Sequence, residues 1–464
     1  MIRQHIIEQH KYNHIKQSNG DGYYQSPVSL CIIFGEFMDI TKASPARAIP
    51  SDASWRKTDT VWMLGLYGTA IGAGVLFLPI NAGIGGLLPL LIMALIAFPM
   101  TFFAHRGMTR FVLSGNGKCN DITDVVKEHF GNRVGNLITL LYFFAIYPIL
   151  LVYSVAITNT VESFIVHQLG YNAPPRALLA LLLIVGLMMI IWLGKDIIVK
   201  SMSVLVFPFV AVLVFLSFYL IPYWSGAIFH SPLVQPQADG GGLLSTLWLA
   251  VPVMVFSFNH SPIISSFAMS KREEYGEGAE AKCARVLACS HVMMVLTVMF
   301  FVFSCALSLS PENMQEAKDQ NISMLSYLAN HFDNPFIASL GPIIALVAIA
   351  KSFLGHYLGA SEGFSGLVTS ALQARGKEIS ASTMSKVTAV FMLLTAWLVA
   401  TINPSILGMI ETLGGPIIAM LLFLMPMYAI HKVPAMTRYR GLASNYFVWA
   451  IGLIALTGTI YKLM

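Results

Sequence analysis

Long apolar segments recur along the chain from residue 59 onward, and short polar stretches separate them. A helix needs about 20 apolar residues to cross a hydrocarbon layer roughly 30 Å thick. The pattern predicts an all-α membrane protein with eleven transmembrane helices, at approximately 59–80, 84–104, 134–161, 177–193, 201–222, 243–270, 286–307, 335–358, 387–402, 408–430 and 443–461.

Two polar connections are longer than simple turns. We expect the stretch 113–133 to form a short amphipathic helix on the inner side. We expect the stretch 311–335 to form a helix on the outer side, where it would cap an entrance. A solvated connector is the alternative for both. Residues 1–58 are polar and rich in histidine, and we interpret them as a cytoplasmic tail.

Composition supports the membrane interpretation. Hydrophobic residues make up 56% of the chain and charged residues 11%, against about 25% charged in soluble domains. The net charge of +5 is too small to indicate a nucleic-acid partner. With the N-terminus inside, the inner loops carry 17 Lys and Arg residues and the outer segments carry 3. Because positive charge concentrates on the cytoplasmic side, we predict a cytoplasmic N-terminus and a periplasmic C-terminus.

The remaining composition argues against several kinds of site. The five cysteines form no CxxC pair, so we interpret them as small apolar residues rather than disulfide or zinc positions. No HExxH, GxSxG or GxxxxGK[ST] motif is present, which argues against an enzyme. We expect no cofactor and no bound metal.

The first predicted span contains a cluster of glycines in its middle. Gly65, Gly68, Gly72 and Gly74 fall within ten residues, and each glycine costs a helix interior about 1 kcal/mol relative to alanine. The pattern predicts that the helix breaks at mid-membrane depth, where the backbone must face protein or water. Close helix packing is the alternative, because Gly68 and Gly72 also have small-xxx-small spacing.

The sixth predicted span carries a second interruption. Pro262 lacks an amide hydrogen and disfavours helical geometry at Ser261. Breaks in spans 1 and 6 are the pattern of two inverted five-helix repeats, whose broken helices form a midplane site. We therefore predict a first repeat at 59–222, a second at 243–430, and an additional helix at 443–461.

The chemistry of these breaks suits a zwitterion. Amides at the start of the second half-helix would bind a carboxylate, and freed carbonyls would accept hydrogen bonds from an ammonium group. Polar residues in span 6 would read a polar side chain, and Tyr153 would close over the substrate, with aromatic packing as its alternative. The candidate substrate-binding residues are Gly68, Thr69, Ala70, Gly72, Ala73, Gly74, Tyr153, Ser257, Phe258, Asn259, His260 and Ser261.

Lys351 lies inside the eighth predicted span, where an ionisable residue is costly and indicates function. Its ammonium would occupy a cation site or titrate during transport. The alternative is a lysine fixed permanently against backbone carbonyls. We take Lys351, the adjoining Ser352 and His260 as candidate coupling residues.

These segments resemble a known family. Residues 68–79, GTAIGAGVLFLP, resemble the first helix of amino-acid permeases of the APC superfamily. Residues 256–267, FSFNHSPIISSF, look like the bacterial hydroxy/aromatic amino acid permease family, and with 55–60, 153–160 and 411–419 the nearest likeness is to its serine permease branch.

The resemblance implies a leucine-transporter-like fold in the bacterial inner membrane and uptake of L-serine with protons. Sodium coupling or a preference for threonine is the alternative within the fold, and a non-transporting amino-acid sensor is the alternative of another class. Residues 1–37 match nothing expected of the family, so we hypothesise that they are an extension before a true start at Met38.

Overall fold

The computed structural model describes residues 54–116, 122–192, 195–235, 242–373 and 375–463. Every regular element in these ranges is a helix. In chain order the helices are α1 Lys57–Ala70, α2 Leu78–Ile84, α3 Leu87–Leu113, α4 Ile122–Ser163, α5 Arg176–Trp192, α6 Lys195–Tyr219, α7 Ala227–His230, α8 Leu243–Ser257, α9 Ile264–Tyr275, α10 Ala279–Ser308, α11 Pro311–Asp319, α12 Met324–His331, α13 Pro335–Gln373, α14 Ala381–Ile402, α15 Ile406–Lys432 and α16 Ala443–Leu463.

Several of these helices are long and apolar enough to cross a membrane. In the described ranges six pass by length and composition: Leu87–Leu113, Ile122–Gln168, Ser261–Ser308, Pro335–Gln373, Ala381–Ile402 and Ile406–Lys432. Two bent pairs raise the number to eight: Lys57–Ala70 with Ala73–Ile84, and Leu205–Tyr219 with Ile221–His230. Three apolar helices are shorter, namely Arg176–Ile191, Leu243–Ser257 and Ala443–Gly458. The prediction of an all-helical, multiply spanning protein is confirmed.

Two helix boundaries on the side predicted to be cytoplasmic differ from expectation. The second span was expected to end at residue 104, yet α3 continues to Leu113. This boundary was wrong because the polar residues that signalled a loop, such as His105 and Thr109, are buried against protein. Likewise the eighth span, expected to end at 358, continues as helix to Gln373.

The two long polar connections are both helical. In the stretch 113–133, the described residues from Ile122 form the start of α4, and Gly131, with φ 79°, separates that short helix from the span that follows. The outer one forms α11 and α12, each capped by a serine hydroxyl at its N-terminus, Ser310 and Ser323. Helix α11 packs on α2, and α12 packs on α13. Whether they cap an entrance stays a prediction.

The two interrupted helices, α1–α2 and α8–α9, lie among the most buried parts of the chain. Helix α13 packs along α4, and α10 packs against both α1 and α3. Residues 73–80 on one broken helix and 250–258 on the other are buried throughout. The backbone just after the first break and just before the second is therefore enclosed by protein, which is the environment that non-helical backbone requires at membrane depth.

Candidate functional site

The first helix breaks where the glycines predicted. Helix α1 ends at Ala70, and the chain turns by 48° before a 3₁₀ turn begins at Ala73. Ile71 donates its amide to Tyr67 O, the last helical bond, and Gly72 donates its amide to Ala70 O. Carbonyls of the last turn of α1 are therefore released from the helical ladder and need other donors.

Lys351 supplies those donors. Its ammonium nitrogen lies 3.1 Å from Gly68 O and 3.4 Å from Ile71 O. The residue is 6% exposed, so its ammonium group is largely shielded from solvent. A cation at the carbonyl end of a helix is stabilised by the helix dipole. The lysine ammonium is thus the cation that binds the released carbonyls at the break.

The neighbouring Ser352 binds the backbone on the other side of the first break. Its hydroxyl accepts the amide of Ala73 at 3.1 Å. From the second broken helix, the Ser257 hydroxyl donates to Gly74 O at 3.2 Å. Two successive residues of α13 therefore bind the two halves of the first broken helix, and α8 is joined to the same break.

Close packing explains why glycines occupy this segment. A Cβ at Gly68 would lie 2.7 Å from Val206 Cγ1, and one at Gly74 would lie 2.8 Å from Phe256 Cε1. A Cβ at Gly72 would lie 2.9 Å from Ser352 Oγ. Both predicted features are therefore present: the helix breaks here, and its small residues allow close packing.

The second break follows Ser257. Phe258 caps α8, and after it the chain leaves the helix until a 3₁₀ turn at Ser261. Asn259 Oδ1 accepts the amide of Ser261 at 3.1 Å, which forms a local turn around the half-buried Asn259. The interruption predicted from Pro262 is present, with Asn259 and Ser261 at its partly accessible face.

His260 does not share the partly accessible face of Asn259 and Ser261. Its imidazole is completely buried, and its Nδ1 lies 3.1 Å from Phe258 O and its Nε2 lies 2.9 Å from His291 Nε2. Its ring also stacks on that of His105 at 3.6 Å between centroids. The structure thus places His260 in a cluster with two histidines that sequence reasoning missed. His291 lay within a predicted span, and a polar residue at that depth was the signal that would have found it.

Tyr153 lies between the two breaks. Its ring packs edge-on against His356 at 5.2 Å and against Phe256 at 6.4 Å. Its hydroxyl interacts with the Ser352 side chain and the Gly74 backbone. The structure therefore brings Tyr153 to the groups that hold the first break together, and it is 4% exposed.

Thr69 and Ala70 occupy the end of α1. The Thr69 hydroxyl donates to Gly65 O in its own helix at 2.8 Å, and the residue is exposed. Ala70 is buried. Of the substrate-binding candidates on α1, Gly68 provides a carbonyl to Lys351, whereas Thr69 faces away from the buried break.

A buried ion network lies at the ends of the two broken helices that are remote from the breaks, where α1 begins and α9 ends. Asp59 at the start of α1 is fully buried, and its carboxylate lies 2.6 Å from Lys271 Nζ and 3.1 Å from Lys282 Nζ. Tyr275 donates to the same carboxylate at 2.8 Å, and Lys271 also pairs with Glu274 at 2.7 Å. The network ties α1 to α9 and α10. Sequence reasoning missed it because these charges flank the predicted spans.

The structure is similar to solved transporters. A manganese transporter of Eremococcus coleocola, solved as a mutant, superposes with a TM-score of 0.63 at 12% identity, over 90% of this chain and 89% of that one. At this identity the likeness concerns the fold alone.

Sequence comparisons are more specific. The serine transporter SdaC of Escherichia coli K12 is 67% identical over 427 residues, which covers 92% of this chain and 100% of that protein. The threonine/serine transporter TdcC of Escherichia fergusonii is 50% identical over 425 residues, or 88% of this chain and 96% of that one.

A family comparison matches residues 60–459, which is nearly all of the helical body. The match confirms the predicted resemblance to permeases, and with the apolar helices it makes this a multi-pass membrane protein and not an enzyme. The chain belongs to the tryptophan/tyrosine permease family.

Proposed function

We propose that this protein imports L-serine across the bacterial inner membrane by proton symport. The observation that carries the substrate is the 67% identity to a serine transporter. That likeness extends over the whole length of the relative, so it includes every segment from which the relative builds its site. Proton coupling rests on the basic groups at the two breaks.

We propose a topology of eleven spans with a cytoplasmic N-terminus and a periplasmic C-terminus. Helices α1–α2, α3, α4, α5 and α6 form the first repeat, and α8–α9, α10, α13, α14 and α15 form the second, followed by α16. Support comes from the breaks at the first helix of each set and from the excess of Lys and Arg in the inner loops.

We propose that serine binds between the breaks. The amides of Ala73 and Gly74, at the start of the second half of the first helix, bind the carboxylate after the Ser352 hydroxyl turns away from Ala73. Carbonyls near Gly68 and Phe258 accept the ammonium group. Asn259 and Ser261, on the partly accessible face of the second break, read the side-chain hydroxyl, and Tyr153 covers the site.

The position of Lys351 favours proton coupling over sodium coupling. The carbonyl oxygens of Gly68 and Ile71 are the hard ligands that a sodium ion would need, and the lysine ammonium already binds both. A charged amine in this position replaces the metal ion. It also provides a group whose proton can be lost when the surroundings change.

The first experiment measures uptake in proteoliposomes. Purified protein receives labelled L-serine and an imposed pH gradient, acid outside, in sodium-free buffer. We expect accumulation that an ionophore abolishes. If accumulation requires sodium, the proton proposal is replaced by the sodium alternative, and if serine does not enter at all the proposed substrate is wrong.

Lys351→Ala tests the coupling role. We expect loss of gradient-driven accumulation, while exchange of internal for external serine is retained at a measurable rate. Lys386→Ala is the matched control, because it removes an exposed lysine outside the breaks and should leave accumulation unchanged. Accumulation by Lys351→Ala at the wild-type level would reject the assignment.

Threonine is the second candidate substrate, because a relative at 50% identity is named a threonine/serine transporter. Competition of labelled serine uptake by threonine, alanine, cysteine and aromatic amino acids distinguishes the candidates. For Asn259→Ala we expect a smaller preference for serine over alanine, since the hydroxyl loses its partner. An unchanged preference would move the hydroxyl site elsewhere.

A further inference from the structure

Three buried imidazoles meet beside the second break. His105 comes from α3, His260 from the break itself and His291 from α10, and none is more than 1% exposed. One ring nitrogen from each residue lies within 4.8 Å of those of the other two. We call these three residues the histidine cluster.

Hydrogen bonds fix the tautomer of each ring. His105 Nδ1 lies 2.8 Å from Thr101 O and His260 Nδ1 lies 3.1 Å from Phe258 O, and a carbonyl only accepts, so both Nδ1 atoms carry hydrogen. In neutral rings both Nε2 atoms are then acceptors. His105 Nε2 accepts the amide of His260 at 3.3 Å. His260 Nε2 therefore accepts from His291 Nε2 at 2.9 Å, which must carry its hydrogen there.

The chain of hydrogen bonds has one open end. His291 Nδ1 is left with a lone pair, and it has no hydrogen-bond partner among the described residues. Two hydroxyls are likewise buried without a partner among the described residues: that of Ser290, next to His291 in sequence, and that of Thr101, whose carbonyl accepts from His105. An unpaired buried acceptor is costly, and an imidazole acceptor is also a base.

A metal ion does not fit this arrangement. The rings of His105 and His260 are parallel within 2° and their centroids are 3.6 Å apart. Lone pairs of ring nitrogens lie in the ring planes, so those of two stacked rings do not converge on a single ion at about 2.1 Å. The cluster is therefore organised for hydrogen bonding.

We propose that the histidine cluster binds the transported proton, which enters at His291 Nδ1 and is held on His260. Hydronium protonates His291 Nδ1 and leaves water. The Nε2 hydrogen of His291 then passes to His260 Nε2. His291 becomes the neutral Nδ1–H tautomer, and His260 becomes an imidazolium with hydrogen on both nitrogens. This assignment rests on the proposed proton symport.

The position of His260 suits a cation. His260 Nδ1 donates to Phe258 O, the carbonyl of the C-cap residue of α8. The C-terminal end of a helix stabilises positive charge. Lys351 occupies the equivalent position at the end of α1. Each break thus has one basic group against the carbonyl end of its first half-helix.

Among the described residues, no charged side chain forms a hydrogen bond or an ion pair with the histidine cluster. Its partners are backbone groups and its own rings. Arg106 on α3 lies over the rings of Phe102 and Phe103, and Phe102 stands edge-on to His291. Charges on the remaining neighbours pair with one another, among them Arg110 with Glu280 and Asp59 with Lys271 and Lys282.

His291→Gln tests the entry point. The glutamine amide still donates to His260 Nε2 but has no basic atom at the Nδ1 position. In proteoliposomes we expect at least a tenfold lower serine accumulation under a pH gradient, with serine exchange at equal pH within twofold of wild type. The exposed His167 provides the matched control, His167→Gln, which should accumulate serine normally.

The outcomes separate this inference from the proposed function. If wild-type protein shows no proton-driven uptake, the symport proposal fails first. If wild type accumulates serine and His291→Gln does so equally, the histidine cluster is not the proton site. Equal loss of accumulation and exchange would show a structural role and would also overturn the assignment.

Tautomers provide a readout that needs neither transport nor a folded variant. Nitrogen-15 NMR of histidine-labelled wild-type protein at alkaline pH should show a single exchange-protected ring with hydrogen on Nε2, because buried His105 and His260, and His356, donate from Nδ1 to carbonyls. Absence of that ring would overturn the relay. So would one manganese or zinc ion per chain retained by wild type and lost in His291→Gln.

Discussion

Gly72 is the residue at which the first break depends most directly on the lack of a side chain. Its backbone is extended, with φ −129° and ψ −162°, a conformation open to any residue. The constraint is space, because a Cβ would lie 2.9 Å from Ser352 Oγ. Gly72→Ala therefore displaces the hydroxyl that accepts the amide of Ala73.

The expected cost follows from two effects. A buried amide left without its acceptor costs about 1–3 kcal/mol, and crowding a packed interior costs about 1–3 kcal/mol. The two overlap, since rotation of Ser352 relieves the crowding by giving up the hydrogen bond. We expect Gly72→Ala to lower the free energy of unfolding by about 2–4 kcal/mol.

Gly65→Ala is the matched control. Gly65 lies in α1, seven residues before Gly72, and a Cβ there meets no atom within 4 Å. Alanine in that helical position is favoured by about 1 kcal/mol, so this variant should be neutral or slightly more stable. Both variants are unfolded with SDS in mixed micelles, and serine uptake is measured beside them.

A double-mutant cycle decides whether Ser352 is the cause. In a Ser352→Ala background the clash partner is gone, so Gly72→Ala should cost less than about 1 kcal/mol, and the difference is the interaction energy. A cost that is unchanged in that background would refute the reasoning. So would equal stability of the Gly65 and Gly72 variants.

Two other sites give predictions outside the breaks. Asp59→Asn leaves two buried lysines without their shared anion, so we expect a loss of about 3–5 kcal/mol in the same unfolding assay, against little change for the exposed Glu312→Gln. Tyr327→Phe removes a 2.6 Å hydrogen bond to Glu316 and should cost about 1 kcal/mol near pH 7. Burial, and then the Glu316 carboxylate, raise the pKa of Tyr327 above its ordinary value of 10. The unfolded chain therefore releases the Tyr327 proton at a lower pH than the folded chain does. The free energy of unfolding of the wild type should fall as the pH rises beyond about 10, and that of Tyr327→Phe should fall less. Equal losses in the two proteins would contradict this.

The interruptions were predictable because their causes are local. Four glycines within ten residues weaken α1 wherever it lies, and Pro262 interrupts the ladder by its own covalent structure. Lys351 was predictable for a related reason, since one charge in an apolar segment must find an internal partner. Its partners, Gly68 O and Ile71 O, are 283 and 280 residues away in sequence and required the structure.

The histidine cluster illustrates what local patterns do not contain. His260 contacts His105 across 155 residues and His291 across 31, and the rings meet because α3 and α10 pack together beside the second break. His105 also followed the predicted end of its span. Polar residues covered by protein look like loop residues in a sequence, so both the boundary and the contact were missed.

The two breaks share an electrostatic arrangement that neither shows alone. Each first half-helix ends in carbonyls that leave the helical ladder, and each end faces a basic side chain, Lys351 for α1 and His260 for α8. The difference lies in where each base comes from. Lys351 reaches its break from a separate helix, so movement of α13 against α1 changes its partners, whereas His260 belongs to the break it serves. If serine binding moves the first half-helices, both bases lose or gain stabilisation together, and this common dependence would link substrate binding to proton binding.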